Sequence, residues 1–258
     1  MFDSHCHLQD ERIYDQLDSL LSRARLSGVR LMLCCAVKEA DWAKISHIGS
    51  EHSETVLCAF GVHPWYASEV CKEWDIELEK RLADTPNAAV GEIGLDHTLD
   101  KHNYQRQTEI FIRQLETARA LKRPVSIHCR KAWGTLISIL KDKGGLRFGG
   151  VIHSYSGPPN LIKELENLGC YISFSGSILI TNAKKAHESL KMVSPHRLLV
   201  ETDSPDMLPA NAAGPFNEPA NLRLILKRAA EILGEPAEDV ALRTEKNGRK
   251  LFAVDNTN

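Results

Sequence analysis

The chain alternates short apolar runs with segments in which apolar residues recur every three or four positions. The apolar runs lack strict two-residue alternation, which is typical of strands that are covered on both faces. Residues 1–7 form a further, weaker candidate strand. With this segment, the apolar runs predict eight strands. The other seven lie at 30–37, 55–62, 88–95, 124–129, 149–153, 170–174 and 197–201.

The segments between the runs have the period of amphipathic helices. Ile13, Leu17 and Leu20 share one face, and Leu222, Ile225 and Ala229 share another. Alternating strands and helices with short connections predict parallel strands joined by right-handed crossovers. Eight such units favour an α/β fold of the TIM (β/α)₈ barrel type, a single domain over residues 1–258, although an open doubly wound sheet has the same pattern.

Composition excludes several classes of protein. Hydrophobic residues are 43% and charged residues 26% of the 258 positions, which excludes general disorder. The net charge of −2 argues against a protein that coats duplex DNA by charge alone. The chain has no apolar stretch of membrane-spanning length, and its start is too polar for a secretory signal. Seven scattered cysteines without a CxxC pair indicate reduced thiols, so we expect a cytoplasmic protein.

Two histidines near the start of the chain are the first candidate metal ligands. His5 and His7 are two residues apart, so in a strand both project to the same side, while Cys6 points toward the helix layer. The pair alone is a weak signal, since two ordinary surface histidines would give the same pattern.

Single metal-ligating residues also stand at the carboxyl ends of other predicted strands. These are Glu92, His128, His153 and Asp203. Barrel active sites assemble at this end of the strands. Any one of the histidines could be a hydrogen-bonded core residue, but six candidates at corresponding positions predict a metal centre.

Four imidazoles and two carboxylates favour Zn, Mn, Ni, Co or Fe over Ca, and Mg is retained as a candidate. Six ligands exceed one tetrahedral site, so we expect two divalent ions. His5, His7 and Asp203 would hold one ion, and the other would lie at the two remaining histidines, His128 and His153.

In this arrangement Glu92 bridges the two ions, because a carboxylate has two oxygens to offer. A metal-bridging hydroxide would attack the substrate, and Asp203 would orient the water and take its proton. Glu201 is a candidate for indirect support of a ligand or for a third ion, although a buried carboxylate of the barrel interior is an equally good interpretation.

These motifs together resemble the TatD family of metal-dependent deoxyribonucleases, within the amidohydrolase-like metallo-dependent hydrolases. The resemblance covers nearly the whole chain and implies a (β/α)₈ barrel, a divalent-metal centre at the six positions, and hydrolysis of phosphodiester bonds. It implies 3′-to-5′ exonuclease action on DNA, with single-stranded ends as the partner, and neither membrane nor obligate protein partner is indicated. The residues that carry it lie at 3–8, 61–64, 91–96, 127–130, 153–157 and 201–205.

The chain departs from the family pattern at two places. Asp206 and Met207 follow the last Ser-Pro, where an aromatic residue is common, and His97 stands where many members have tyrosine. Both changes fall at the substrate rim and leave the ligands intact, so they bear on substrate preference and not on metal hydrolysis.

Weaker candidates surround these positions. His63 could bind a phosphate or act as an acid, or be a turn histidine fixed by the following proline. Trp65 could stack on a base, or simply pack. Arg130 could neutralise a phosphate, or face solvent at a helix start. Asp96 is a candidate structural carboxylate or indirect support for a ligand, and Arg106 is its candidate partner.

Two other functions fit the pattern. The same metal scaffold serves hydrolysis of a C–N, lactone or aminoacyl-ester bond. Glu92 stands where some amidohydrolases place a carbamylated lysine, which favours the nuclease branch. A binding protein without catalysis would predict a damaged ligand set, whereas all six candidates are present.

Overall fold

The protein folds into a barrel of eight parallel strands. The computed structural model describes residues 1–98, 103–210 and 212–252. Each strand pairs in parallel with the next one along the chain. The strands are β1 (Phe2–Cys6), β2 (Leu31–Cys35), β3 (Val56–Phe60), β4 (Ala89–Asp96), β5 (Val125–Arg130), β6 (Gly150–Ile152), β7 (Cys170–Phe174) and β8 (Leu198–Val200).

Helices follow every strand and cover the outside of the barrel. None of the helices in the described ranges combines the length and the apolar character needed to cross a membrane. They are α1 (Leu17–Leu26), α2 (Trp42–Glu51), α3 (Trp74–Asp84), α4 (Tyr104–Ala120), α5 (Trp133–Asp142), α6 (Ile162–Asn167), α7 (Lys184–Met192), α8 (Leu222–Leu233) and α9 (Ala237–Leu251).

The first and last strands meet at their carboxyl ends. Thr202 N donates to Asp3 Oδ1 at 2.9 Å, and Asp203 N donates to the carbonyl oxygen of His5 at 3.0 Å. His7 N donates to the carbonyl oxygen of Ser204 at 2.7 Å. The predicted barrel is therefore confirmed, and the alternative of an open sheet is wrong. The predicted domain end at residue 258 lies outside the described residues.

The barrel interior has an apolar floor with a polar layer above it. Phe2 stacks on Phe252, which follows α9, with ring centroids 5.7 Å apart, so the last helix closes the amino-terminal end. Higher in the barrel, Ser4 Oγ lies 2.8 Å from Ser173 Oγ. The polar layer leads from the apolar floor to the carboxyl ends of the strands, where the candidate ligands lie.

Several candidate residues lie beyond the strands that they were expected to end. Strand β3 ends before His63, β6 before His153 and β8 before Asp203. The apolar runs are longer than the strands because the segments just after them are also buried. Asp203 has a left-handed φ of 59°, so its backbone has already left the extended conformation.

A close approach of β4 to β5 requires glycine at position 94. Gly94 has a φ of 145°, and an added Cβ would overlap the backbone carbonyl group of His128. We expect Gly94→Ala to lower the free energy of unfolding by about 3 kcal/mol in urea titrations. Gly134→Ala, in α5 with open space around the new methyl group, should change it by less than about 1 kcal/mol. Equal stability of the two variants would contradict this account of the β4–β5 contact.

Candidate metal centre

A cavity of ≈ 1130 Å³ opens at the carboxyl ends of the strands. The six predicted metal ligands all lie at this end, and five of them line the cavity, with His5 buried beneath it. The barrel thus brings together residues that are up to 198 positions apart, because the ends of parallel strands meet at one face.

The carboxylate of Glu92 lies at the centre of the site and is 2% exposed. Its Oε1 atom is 2.8 Å from His153 Nε2, 3.1 Å from His128 Nδ1 and 3.4 Å from His63 Nε2. One carboxylate oxygen is therefore surrounded by three imidazole rings.

The second oxygen of Glu92 faces the histidines of β1. Its Oε2 atom is 3.3 Å from His5 Nε2 and 3.5 Å from His7 Nε2. The two Nε2 atoms are 3.2 Å apart, and Asp203 Oδ1 lies 3.6 Å from that of His7. This side of the site matches the predicted group of His5, His7 and Asp203, which could together hold one ion.

Contacts on the outer side of each ring determine which nitrogen faces Glu92. His7 Nδ1 donates to the carbonyl oxygen of Cys35 at 2.8 Å, so the neutral ring has a lone pair on Nε2. His5 Nδ1 is hydrogen-bonded to Ser126 Oγ at 3.0 Å. Such outer contacts fix the orientation and tautomer of metal-binding histidines.

Carboxylates orient the other two rings. His153 Nδ1 donates to Glu201 Oε1 at 3.2 Å, and His128 Nε2 donates to Asp96 Oδ2 at 3.0 Å. Their remaining nitrogens therefore direct lone pairs at Glu92. Glu201 also accepts from the backbone N–H of Ser154 at 2.7 Å, which fixes the carboxylate under the site.

The donor set fits divalent cations. Neutral imidazole nitrogens and carboxylate oxygens converge with their lone pairs facing each other, and such an arrangement repels itself unless a cation or a proton lies between them. Nitrogen and oxygen donors in this number suit transition metals. The residues therefore fit the metal centre that the sequence predicts.

Protons take the place of the cations when no metal is bound. Burial opposes a charged His7, but its contacts with Asp203 and Glu92 outweigh burial and raise the pKa to about 9. Burial likewise opposes ionisation of Glu92, but the surrounding imidazoles, His153 foremost, hold its pKa well below the ordinary range. Burial raises the pKa of Asp203, but the hydrogen bond from His7 and the charges of His153, His5 and His7 together outweigh burial and lower it to about 2.

The remaining histidines form more than one candidate group around Glu92. His153 lies with His5 and Glu92, and His128 lies with His63 and Glu92, in groups that could each hold an ion. His128 Nδ1 and His153 Nε2 are nevertheless only 3.2 Å apart, so the two are also neighbours.

His63 differs from His7, His128 and His153 in the direction of its ring proton, which faces Glu92. Its Nδ1 accepts from the backbone N–H of Trp65 at 3.2 Å, so the ring proton lies on Nε2, which faces Glu92. Burial lowers the pKa of His63 well below its ordinary value. This residue therefore presents a neutral N–H donor to the site, which suits a substrate oxygen better than a cation.

The weaker candidates have distinct environments. The ring of Trp65 is 48% exposed at the cavity rim, and Arg130 is exposed on the cavity wall. The expected pairing of Asp96 with Arg106 is wrong. Arg106 bonds instead to the carbonyl oxygen of Ala67 and to Glu109, because its helix directs it away from the strand end.

Asp96 instead connects three parts of the rim. Besides His128, its carboxylate accepts from Trp65 Nε1 at 2.9 Å and from the backbone N–H of Thr98 at 2.8 Å. These contacts outweigh burial and lower the pKa of Asp96. The ionised carboxylate thus holds His128 in place.

Two supports of the site were not among the sequence candidates. Ser126 orients His5, and the carbonyl oxygen of Cys35 orients His7. Ser126 could have been found, because it is a polar residue two positions before His128 in an otherwise apolar strand. A backbone carbonyl leaves no signal in the sequence.

Comparison with known proteins assigns the chain to a family. The sequence profile described as TatD related DNase matches residues 2–253. The chain belongs to this family. It is therefore a metal-dependent hydrolase of the TatD family, as its metal-binding residues and barrel indicate.

Several relatives match over the full length of the chain. The metal-dependent hydrolase YcfH of Escherichia coli (strain K12), described as uncharacterized, is 32% identical and aligns over 99% of this chain and 96% of its own. A protein of Erwinia tasmaniensis described as 3′-5′ ssDNA/RNA exonuclease TatD is 31% identical over 98% and 99% of the two chains. The crystal structure of YJJV, a TatD homologue from Escherichia coli K12, matches with a TM-score of 0.92, 28% identity and 98% coverage of both chains.

We expect the metal-free protein to lose stability as the pH rises. A folded-state pKa of about 9 for His7, above its ordinary 6.5, gives a contribution that is complete below pH 6.5 and is lost through pH 9. In chelator, the free energy of unfolding should fall by about 3 kcal/mol over this range. With Mn²⁺, the free energy of unfolding should instead increase as the pH rises, because the ion competes with protons for the same nitrogens.

Urea titrations of the wild type and of His7→Gln test this expectation. In chelator, the free energy of unfolding of the variant should decrease less between pH 6.5 and 9 than that of the wild type. A wild-type stability that rises between pH 6.5 and 9 without metal would contradict the raised pKa.

Removing the carboxylate that orients His128 should weaken metal binding. We expect Asp96→Ala to raise the dissociation constant for Zn²⁺ by about 10–100-fold, measured by competition with a chromophoric chelator. Thr98→Ala is the matched control, because it removes a hydroxyl that bonds to Asp96 but leaves the contact with His128. Equal affinities of the two variants would show that Asp96 does not position the ligand.

Proposed function

We propose that the protein hydrolyses phosphodiester bonds in DNA and removes nucleotides from the 3′ ends of single strands. The observation that carries the proposal is the buried carboxylate of Glu92 with imidazoles on both oxygens, at the bottom of a wide cavity. Family membership supports it, as does the description of the Erwinia tasmaniensis relative as a 3′-5′ ssDNA/RNA exonuclease.

Two divalent ions are the proposed cofactors, held by His5, His7 and Asp203 on one side and by His128 and His153 on the other, with Glu92 between them. When bound, such ions would polarise the phosphoryl group as Lewis acids and would lower the pKa of a water molecule, so that it could give up a proton and act as the nucleophile near neutral pH. The outer contacts of the histidines hold the ring nitrogens in place before substrate arrives.

Asp203 is the proposed base. Its carboxylate is ionised at neutral pH, and His7 Nε2 lies 3.6 Å from Oδ1, so Oδ2 is the oxygen that would accept a proton from the attacking water. The residue lines the cavity, and its left-handed backbone directs the segment after β8 across the ends of the strands. The surrounding histidines lower the pKa of Glu92, so this carboxylate also stays ionised and places a negative charge at the centre of the site.

His63 and Trp65 are the proposed contacts to substrate. The Nε2–H of His63 is a neutral donor, which suits a phosphoryl oxygen carrying growing negative charge. The half-exposed indole of Trp65 is anchored by its Nε1–H on Asp96 and offers a face on which a base can stack.

Substituting the proposed base should abolish DNA cleavage. With Mn²⁺ and a 5′-labelled single strand, we expect Asp203→Asn to lower kcat by about 10²–10⁴-fold. Asp142→Asn, an exposed carboxylate at the end of α5, is the control and should retain wild-type activity. Gel analysis should show stepwise shortening from a free 3′ end and none from a blocked one.

A substrate panel separates this function from the alternative. Aminoacyl esters and dihydropyrimidines test hydrolysis of ester and C–N bonds on the same centre. Wild-type turnover of either, without any cleavage of DNA, would overturn the proposal, as would equal DNA cleavage by Asp203→Asn.

A further inference from the structure

The wall of the cavity is electrically asymmetric. The lining from β5, β6, β7 and the segments after them includes three cationic side chains and, within the described residues, no carboxylate. The lining from β1, β2 and β8 also has three cations, but it includes four carboxylates besides Asp203, namely Asp10, Glu11, Asp41 and Asp206. We call Arg130, Lys184 and Lys185 the cationic wall.

The charges of the cationic wall are not neutralised within the described residues. Arg130 and Lys184 form no ion pair there, and Lys185 Nζ donates to the neutral carbonyl oxygen of Ser156 at 2.7 Å. This side of the cavity therefore offers unpaired donors and positive charge.

Of the three cations opposite, Arg12 is neutralised by carboxylates, whereas Lys38 and Lys44 lie over aromatic rings, with Lys44 Nζ 4.7 Å from the ring centroid of Tyr14. Arg12 donates to Asp10 at 2.8 Å and to Asp206 at 2.8 Å, so its charge is neutralised by two carboxylates. Lys38 Nζ lies 5.5 Å from the ring centroid of Tyr66. A polyanion entering the cavity would thus meet repulsion on the β1–β8 side and attraction on the β5–β7 side.

Local stability does not account for the two lysines. They begin α7, where a cation opposes the helix dipole. The segment before α7 is fixed, since His187 Nε2 donates to the carbonyl oxygen of Ile178 at 2.9 Å and Arg228 Nε donates to the same atom at 3.4 Å. The two lysines therefore lie in a segment that hydrogen bonds hold in place beside the candidate metal centre.

We propose that the cationic wall binds the backbone phosphates next to the one being hydrolysed. Arg130, Lys184 and Lys185 would each contact phosphate oxygens. The substrate would then be a strand with several phosphates, and a lone phosphodiester would lose this binding. The inference rests on the proposed function and adds the direction in which the strand leaves the site.

Oligonucleotide binding tests the cationic wall without requiring cleavage. The probe is a fluorescein-labelled thymidine strand of about ten nucleotides with slowly cleaved phosphorothioate linkages, followed by anisotropy at several salt concentrations. We expect Lys184→Ala/Lys185→Ala to raise Kd on the order of tenfold and to reduce the slope of log K against log salt by about 1.4. The same variant should hydrolyse bis(4-nitrophenyl) phosphate within about twofold of wild type, since one phosphodiester does not reach the wall.

Two double variants remove the same charge elsewhere. Lys191→Ala/Lys227→Ala, exposed on α7 and α8 outside the cavity, should bind like wild type. Lys38→Ala/Lys44→Ala, on the opposite side of the cavity, should change Kd less than the α7 pair does. The inference is overturned if either control weakens binding as much as the α7 variant, or if that variant binds the strand like wild type.

The outcomes also separate the inference from the proposed function. If the wild-type protein binds the strand through the two lysines but cleaves no DNA, the inference about the cationic wall stands and the proposed nuclease function is wrong. If the protein cleaves DNA but the α7 variant binds the strand like wild type, the proposed nuclease function stands and the inference about the cationic wall is wrong. Equal loss of activity on the strand and on bis(4-nitrophenyl) phosphate would show a general disturbance of the site and overturn the inference.

Discussion

The ionised carboxylate of Glu92, buried at the centre of the barrel mouth, is the constraint on which the site depends. An isolated carboxylate in a dry interior is strongly destabilised and would be protonated. Here five imidazoles surround it. His63 presents an N–H donor, and positive charge must lie between the oxygens and the lone pairs of the other four rings, as protons or as metal ions. The same arrangement that stabilises Glu92 therefore produces affinity for divalent cations.

The scaffold positions this arrangement through contacts on the outer side of the rings. A serine, a backbone carbonyl and two carboxylates fix the four predicted histidine ligands, and those partners come from other strands or the segments after them. The closing hydrogen bonds between Asp3 and Thr202, and between His5 and Asp203, join the first ligands to the last. Because the apolar floor and α9 fill the barrel below, the site is held on a packed core.

The distribution of charge matters more for substrate than the net charge does. A chain with a net charge of −2 would not attract nucleic acid as a whole. Its cavity nevertheless has one wall with unpaired cations and another with carboxylates, and bound metal ions would add positive charge at the bottom. The proposed binding of a polyanion therefore depends on the local charge of the cavity and not on the net charge of the chain.

The sequence by itself determined the eight strand–helix units and placed the six candidate ligands at one end of the barrel, because periodicity is local and the carboxyl ends of parallel strands must share a face. Tertiary structure decided what depends on distances and hydrogen-bond directions between distant segments. It placed His153 beside His5, gave His63 a proton on the nitrogen facing Glu92, and paired Asp96 with His128 rather than with Arg106. Register and ring orientation set these contacts, and neither is encoded in the spacing of residues along the chain.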